Sequence, residues 1–185
     1  MREIITLLEA NSKPKEVEIV PLAYKETELA PVMSRATMEY HYGKLAHGYA
    51  DRFNHNEGDR AFNYAGAFLH NLFFPQFRRP RQNNKPNGPI ANLIKTKFGS
   101  WDDFKAEFEK TAMALQGSGW VYLARNGQIK VIHNHAVRDD ILILVDMWEH
   151  AFNIDYRADK KKYINEIWKI FDWNVINTRW GRAYK

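Results

Sequence analysis

The chain contains no cysteine. That excludes disulfides, zinc–thiolate centres and iron–sulfur clusters. Any metal must then be held by His, Asp or Glu, a donor set that suits manganese or non-haem iron. No apolar run approaches the roughly 20 residues of a membrane span, so a membrane partner is not expected. The opening stretch MREIITLLEANSKPKE has no signal-peptide pattern. An intracellular, cytoplasmic setting is therefore the expectation. What is present is core material: 45% of the 185 residues are hydrophobic and 14% aromatic, enough for one large domain or two small ones and too much for disorder. The net charge of +5 favours anionic partners without naming them.

The most informative stretch is Ile141–Tyr156, ILILVDMWEHAFNIDY. Its β-branched and Leu run, bounded by a charge, has the form of a buried strand. Asp146 falls where that strand ends. An unpaired buried carboxylate costs roughly several kcal/mol, so a cation or metal is expected beside it. His150, four residues on, is close enough to share a ligand with Asp146. An Asp and a His at that spacing also occur as a plain helix-surface pair, and the two residues alone do not decide between these readings.

The fuller pattern Asp146-x-Trp148-Glu149-His150-Ala151 resembles the D-x-W-E-H-A signature of the iron/manganese superoxide dismutases. In that family the Asp and His are two of four protein ligands to one redox metal. The resemblance implies two further His ligands upstream. MEYHYGKLAHGY is similar to the family's E-Y-H-x-G-K-x-x-x-x-Y, which puts His41 in the first-ligand position and Tyr49 in that of the active-site tyrosine. AFNYAGAFLHNLFF is similar to F-N-x-x-G-x-x-x-H-x-x-[FY]-W, with His70 as second ligand and Phe74 where Trp is usual. Counting from Phe62 in the commoner spacing would land on Asn71 instead; anchoring on Leu72, Phe73 and Phe74 selects His70. Gly66 then stands where iron-type members often carry Gln and manganese-type members Gly.

Downstream, QGSGW resembles the family's G-S-G-W turn and makes Trp120 a pocket-wall residue, with Phe73, Phe74 and Trp148. Asn134-His135 lies where manganese-type members place an Asn-Gln pair whose Gln reaches the solvent on the metal, so His135 is assigned that role. His133 and His55 read as surface residues. The closing W-x-x-x-x-W-x-x-x-x-x-R is matched by Trp168, Trp173 and Arg179. The family also implies a homodimer in which Glu149 bridges to the partner's His150. A cross-subunit His–Tyr pair is replaced here at Leu45 and Asn153, both members together.

The chain reads as four stretches. Residues 1–16 form an arm of unassigned role, as a short helix followed by a linker. Residues 17–77 form an antiparallel helical hairpin, with Pro31 in the first turn of a helix that continues to about Asn54 and carries His41, Leu45 and Tyr49 on one stripe. Residues 78–89 form a basic linker. Residues 90–185 form an α/β part: helices over Ile90–Leu115, then strands Trp120–Arg125, Ile129–His133 and Ile141–Val145, with Asn126-Gly127 as a hairpin turn. Ile167, Trp168, Phe171 and Trp173 form an apolar stripe in the closing helices. The fold class is α/β (α+β): a helical hairpin, then a three-stranded antiparallel sheet with flanking helices.

The function implied is disproportionation of superoxide to oxygen and hydrogen peroxide at one manganese or iron ion per subunit. A non-catalytic scaffold or binding module of the same fold is the alternative; survival of all four ligand positions argues against it. Nucleic acid is disfavoured as a partner, because Arg78, Arg79, Arg81 and Lys85 lack interleaved aromatics and read as a solvated loop. Lys160–Lys162 and Arg157 are expected near the substrate funnel.

Overall fold

The structure, a computed structural model, describes residues 15–180. The arm read at residues 1–16 lies outside them except for its last two residues. From there the chain runs extended, held by side-chain amides of the hairpin. Asn54 Oδ1 accepts the Val17 N–H at 2.9 Å, and Asn71 Oδ1 accepts the Val20 N–H at 2.8 Å. Tyr24 donates to the Phe74 carbonyl at 2.8 Å.

The first helix starts at Arg35, four residues later than Pro31 suggests. Ser34 is extended, and its Oγ accepts the Thr37 N–H at 3.2 Å, which caps the helix there. Residues 26–33 are turns ahead of the cap. Helix then continues to Asn54, but not uniformly: α1 (Arg35–Met38) passes into a π-helical stretch (Glu39–Ala46) and then α2 (His47–Asn54). In an unbroken α-helix, residues eight apart diverge by about 80° around the axis. The wider π turns absorb that divergence, and His41 and Tyr49 are both buried. Leu45, between them, is only half-buried. Such π segments gather at functional sites.

A polar turn over residues 55–59 reverses the chain into α3 (Arg60–Phe73). Asp59 caps α3, accepting the Ala61 and Phe62 N–H groups at 2.8 and 3.0 Å. The helix α3 packs along α2 as a hairpin, and a 3-10 turn (Phe74–Gln76) closes it. Two further helices follow, α4 (Gly88–Phe98) and α5 (Trp101–Ala114). Between them, Gly99 at φ 85° ends α4 and Ser100 caps α5, its Oγ accepting the Asp103 N–H at 3.0 Å.

The sheet has strand order β2-β1-β3, all antiparallel, from β1 (Gly119–Ala124), β2 (Ile129–His133) and β3 (Ile141–Asp146). Gly127 takes φ 82° in the β1–β2 turn, and a Cβ there would lie 2.5 Å from Lys97 Cγ, so the turn signal has both a conformational and a steric cause. Every residue of β1 and β3 is buried. That explains why β3 reads as a continuous apolar run rather than an alternation. The chain ends in α6 (Glu149–Tyr156), α7 (Lys160–Ile167), a 3-10 turn (Trp168–Ile170) and α8 (Trp173–Trp180). Ile167, Trp168, Phe171 and Trp173 are all buried, though spread over three elements rather than one helix face.

Two polar ties join the hairpin to the later elements. Asp155 on α6 accepts from the Ser34 N–H and the Thr37 hydroxyl, each at 2.8 Å. More deeply, Gln76 donates to the Leu144 carbonyl at 2.6 Å, and its Oε1 accepts the Leu144 N–H at 3.2 Å and Arg179 Nη1 at 3.1 Å. Arg179 donates further to the Leu142 carbonyl at 2.8 Å and to the Leu72 carbonyl. Gln76 and Arg179 are both buried. Replacing Gln76 by Leu takes the side-chain partner from both the N–H and the carbonyl of buried Leu144, at a cost of about 2–4 kcal/mol. Urea unfolding of Gln76→Leu should show the midpoint falling accordingly with the slope unchanged. A shift below about 1 kcal/mol would mean the tie is not needed.

Candidate metal centre

His41 on the π-helical stretch, His70 on α3, Asp146 at the end of β3 and His150 on α6 each turn one ligand atom inward, and these atoms all lie within 4.8 Å of one another. The hub is Asp146 Oδ2, 3.1 Å from His41 Nε2, 3.2 Å from His150 Nε2 and 3.7 Å from His70 Nε2. Asp146 holds its orientation because its other oxygen accepts the Trp148 N–H at 2.8 Å, a turn that also starts α6. Burial opposes ionisation of Asp146, yet His150 and His41 outweigh it and keep the carboxyl below the ordinary carboxylate range. Burial lowers the His41 and His70 pKa values against the pull of Asp146, so both rings are neutral near pH 7.

These charges conflict unless a cation sits among them. The Gly66 carbonyl, 2.7 Å from His70 Nδ1, can only accept, so Nδ1 carries the proton. His70 Nε2 is then a bare lone pair, facing an ionised carboxylate and, at 3.0 Å, His41 Nε2. The four separations involving Asp146 and the His41–His70 pair, about 3.0–3.7 Å, are those of ligands about 2.1 Å from one centre. Three imidazoles and a carboxylate on such a sphere fit one iron or manganese ion.

Around the cluster stands an aromatic wall. Phe73 and Phe74 lie 5.4 and 4.9 Å from the His41 ring, and Trp120 lies 5.1 Å from His70. Trp148 stacks between His135 at 4.6 Å and His150 at 5.5 Å. Tyr49 stacks on His70 at 5.4 Å, and its hydroxyl is pushed up to about 12, first by burial and then by Asp146. A Cβ on Gly66 would lie 2.8 Å from the Tyr49 ring, so the tyrosine occupies the space a side chain would need. His135 accepts from Trp120 Nε1 at 3.1 Å through Nδ1. An indole N–H can only donate, so neutral His135 carries its proton on Nε2. That Nε2 is buried without a hydrogen-bond partner among the described residues.

A sequence model of the C-terminal domain of iron/manganese superoxide dismutases matches residues 86–179. The chain is 34% identical to a superoxide dismutase [Mn/Fe] of Porphyromonas gingivalis, over 88% of this chain and 98% of that protein. It is 33% identical to a superoxide dismutase [Fe] of Bacteroides fragilis over the same shares. Identity to a superoxide dismutase [Fe] of Pyrobaculum aerophilum is 30%, over 91% of this chain and 94% of that protein. The chain belongs to the iron/manganese superoxide dismutase family. The fold of a helical region followed by a three-stranded mixed part is that family's fold.

Within this family member the sequence-chosen residues fall into two groups. His41, His70, Asp146, His150, Tyr49, His135, Phe73, Phe74, Trp120 and Trp148 are gathered at the cluster. Glu149 and Asn153 face outward on α6, while Leu45 is half-buried, so these three are not part of it. Asn71, the competing register for the second ligand, is turned away and bonded to Val20 and Glu18. His133 and His55 are exposed. Of the expected funnel cations, Lys161 is paired with Glu109 at 3.1 Å and Lys160 lies 5.8 Å from the Phe152 ring. Sequence reading passed over Arg52, whose guanidinium lies over the Tyr49 ring at 5.0 Å. The signal was its place one helical turn after Tyr49.

His70→Ala should lose most bound iron or manganese, while Asn71→Ala keeps it and loosens only the extended segment at Val17–Val20. Elemental analysis of the two purified variants decides; full occupancy in His70→Ala would refute the placement. A second expectation concerns pH. Burial pushes His135 down to about 4, whereas in the unfolded chain it titrates near 6.5. Between about 6.5 and about 4 the unfolded state binds more protons, so folding stability falls as pH falls through that window. Urea titrations of metal-free protein should show this slope reduced by about one proton in His135→Gln. Equal slopes would mean His135 titrates normally.

Proposed function

We propose that this chain is a superoxide dismutase holding one iron or manganese ion through His41, His70, Asp146 and His150. The observation that carries the reading is the convergence of three imidazole nitrogens on one buried, ionised carboxylate. Bound there, the ion supplies the redox couple that takes an electron from one superoxide and passes it to another.

The second superoxide must gain two protons, supplied by solvent, to leave as hydrogen peroxide, and the chain offers two hydrogen-bond donors at the pocket to position them. His135 is neutral near pH 7 and is fixed as the Nε2–H tautomer by Trp120, so it offers a hydrogen bond that orients a bound oxygen species and gives up no proton itself. Tyr49 keeps its hydroxyl proton at neutral pH because its pKa is raised to about 12. Their rings lie 4.8 Å apart. Phe73, Phe74, Trp120 and Trp148 exclude bulk water, which strengthens every polar interaction inside the pocket. Gly66 leaves the approach from α3 to the Tyr49 ring, so the hydrogen-bonding group comes from the strand side as His135. This arrangement is compatible with either metal, and use of both is the reading we adopt.

The protein acts as a homodimer in this reading. Glu149 is exposed at the start of α6 with no ion pair among the described residues, and the His150 side chain is 12% exposed. Ile154, 44% exposed, stands four residues beyond His150, and Tyr40, 40% exposed, directly precedes His41. Glu149 would bridge to the partner's His150. Leu45 and Asn153 would meet across the two-fold axis without the usual polar pair, since replacing both partners together is nearly neutral where replacing one is not.

Metal analysis together with superoxide consumption tests the function: an ion-loaded protein that consumes no superoxide would favour the scaffold reading. His135→Ala should keep its metal yet shift the metal's redox potential and lower turnover about 10- to 100-fold. An unchanged potential would reduce His135 to a loop residue. For the dimer, a double-mutant cycle with Leu45→His and Asn153→Tyr should show favourable coupling of roughly 0.5–3 kcal/mol in dimer stability. Additive effects, or a wild-type monomer at micromolar concentration, would refute the interface.

A further inference from the structure

We infer that Arg52 forms, on the outer face of the pocket, a docking point for a small monoanion, and that it collects superoxide for the centre; the identity of that anion rests on the functional reading above. Its guanidinium carbon lies 5.0 Å from the centroid of Tyr49, whose ring in turn touches both His70 and His135. The charge therefore stands one ring away from the cluster. It is held there deliberately. Arg52 Nε donates to Asn63 Oδ1 at 3.1 Å, and the buried Asn63 is itself fixed by donating to the Glu57 carbonyl at 2.8 Å. Gly48 makes room: a Cβ there would lie 3.1 Å from Arg52 Nη1.

What marks the group as a binding element is what it leaves unused. Only Nε is engaged, so the two terminal nitrogens keep their donors, and no acid lies within ion-pair distance among the described residues. Arg60, the first residue of α3, shows the contrast. Its guanidinium covers the Phe53 ring at 3.9 Å and is spent on Asn56 and the Phe53 carbonyl. Lys161 is likewise neutralised by Glu109. A half-buried fork of donors, oriented by a neutral amide, suits an oxygen-rich or pseudohalide anion. Placed beside a low-dielectric aromatic wall, one such charge raises local anion concentration and capture rate.

The test uses metal-loaded protein and azide as the probe anion, with superoxide kcat/KM as the second readout. Arg52→Gln removes the charge but can still reach Asn63; Arg52→Lys keeps the charge; Lys110→Ala removes an equal charge on the exposed face of α5. Arg52→Gln should weaken azide binding and kcat/KM about three- to tenfold at low ionic strength, with the difference shrinking as salt rises. Arg52→Lys should lose less than about half of either, and Lys110→Ala should leave both unchanged. Equal azide affinity in wild type and Arg52→Gln, or an equal loss in Lys110→Ala, overturns the proposal. So does a wild-type azide affinity indifferent to salt, which decides the matter even if a variant fails to fold. Loaded wild type that binds azide in this pattern but consumes no superoxide would leave the anion site standing and remove the dismutase reading.

Discussion

The structure depends on one buried carboxylate. Asp146 is fully enclosed at the end of a strand with no exposed residue, where an uncompensated charge costs roughly several kcal/mol. Three neighbouring elements answer it, each contributing an imidazole: the π-helical stretch, α3 and α6. Neutral imidazoles cannot by themselves cancel the charge, and His70, committed to the Gly66 carbonyl through Nδ1, presents only a lone pair. The folded chain thus carries an electrostatic demand for a cation at the point where its two halves meet. Metal affinity and the closure of hairpin on sheet become one free energy.

Much of this was legible in the sequence, and for physical reasons. The run ILILV announced a strand buried on both faces, and Asp146 at its end announced a partner. Asn126-Gly127 marked a hairpin turn because its backbone chemistry is local. What was not legible depends on longer-range geometry. Pro31 suggested an earlier start to the first helix, but the Ser34 cap and its tie to Asp155, 121 residues away, set the boundary instead. The π-helical stretch leaves no residue-type signature, so the even spacing of His41, Leu45 and Tyr49 read as one α-helical stripe. Arg52 reads locally as a solvated face, and only the fold lays it on Tyr49. Gln76 stood at the edge of a basic stretch, with nothing nearby to foretell that its partners lie on β3 and α8.

The second buried polar cluster explains how the first is kept in place. Gln76 follows α3 by three residues, and Arg179 reaches the Leu72 carbonyl two residues after His70. The same two side chains grip Leu142 and Leu144 on the strand that ends in Asp146. One knot therefore fixes both the helix carrying one imidazole and the strand carrying the carboxylate. That matters for a centre whose four donor atoms must stay within 4.8 Å of one another.

Preorganisation of this kind has a chemical consequence. A ligand set held by the protein would resist rearrangement when a bound iron or manganese ion changed charge, which would favour the electron transfers that such an ion supplies. The groups free to respond are then the ones outside the ligand set, above all the unpartnered Nε2–H of His135 and the hydroxyl of Tyr49. Each is locked in one protonation state near pH 7 by burial, and His135 also in one tautomer by Trp120. The fold thus separates two tasks. The Gln76–Arg179 knot and the Ser34–Asp155 tie hold the ligands still, while the aromatic pocket sets which protons are available and where they point.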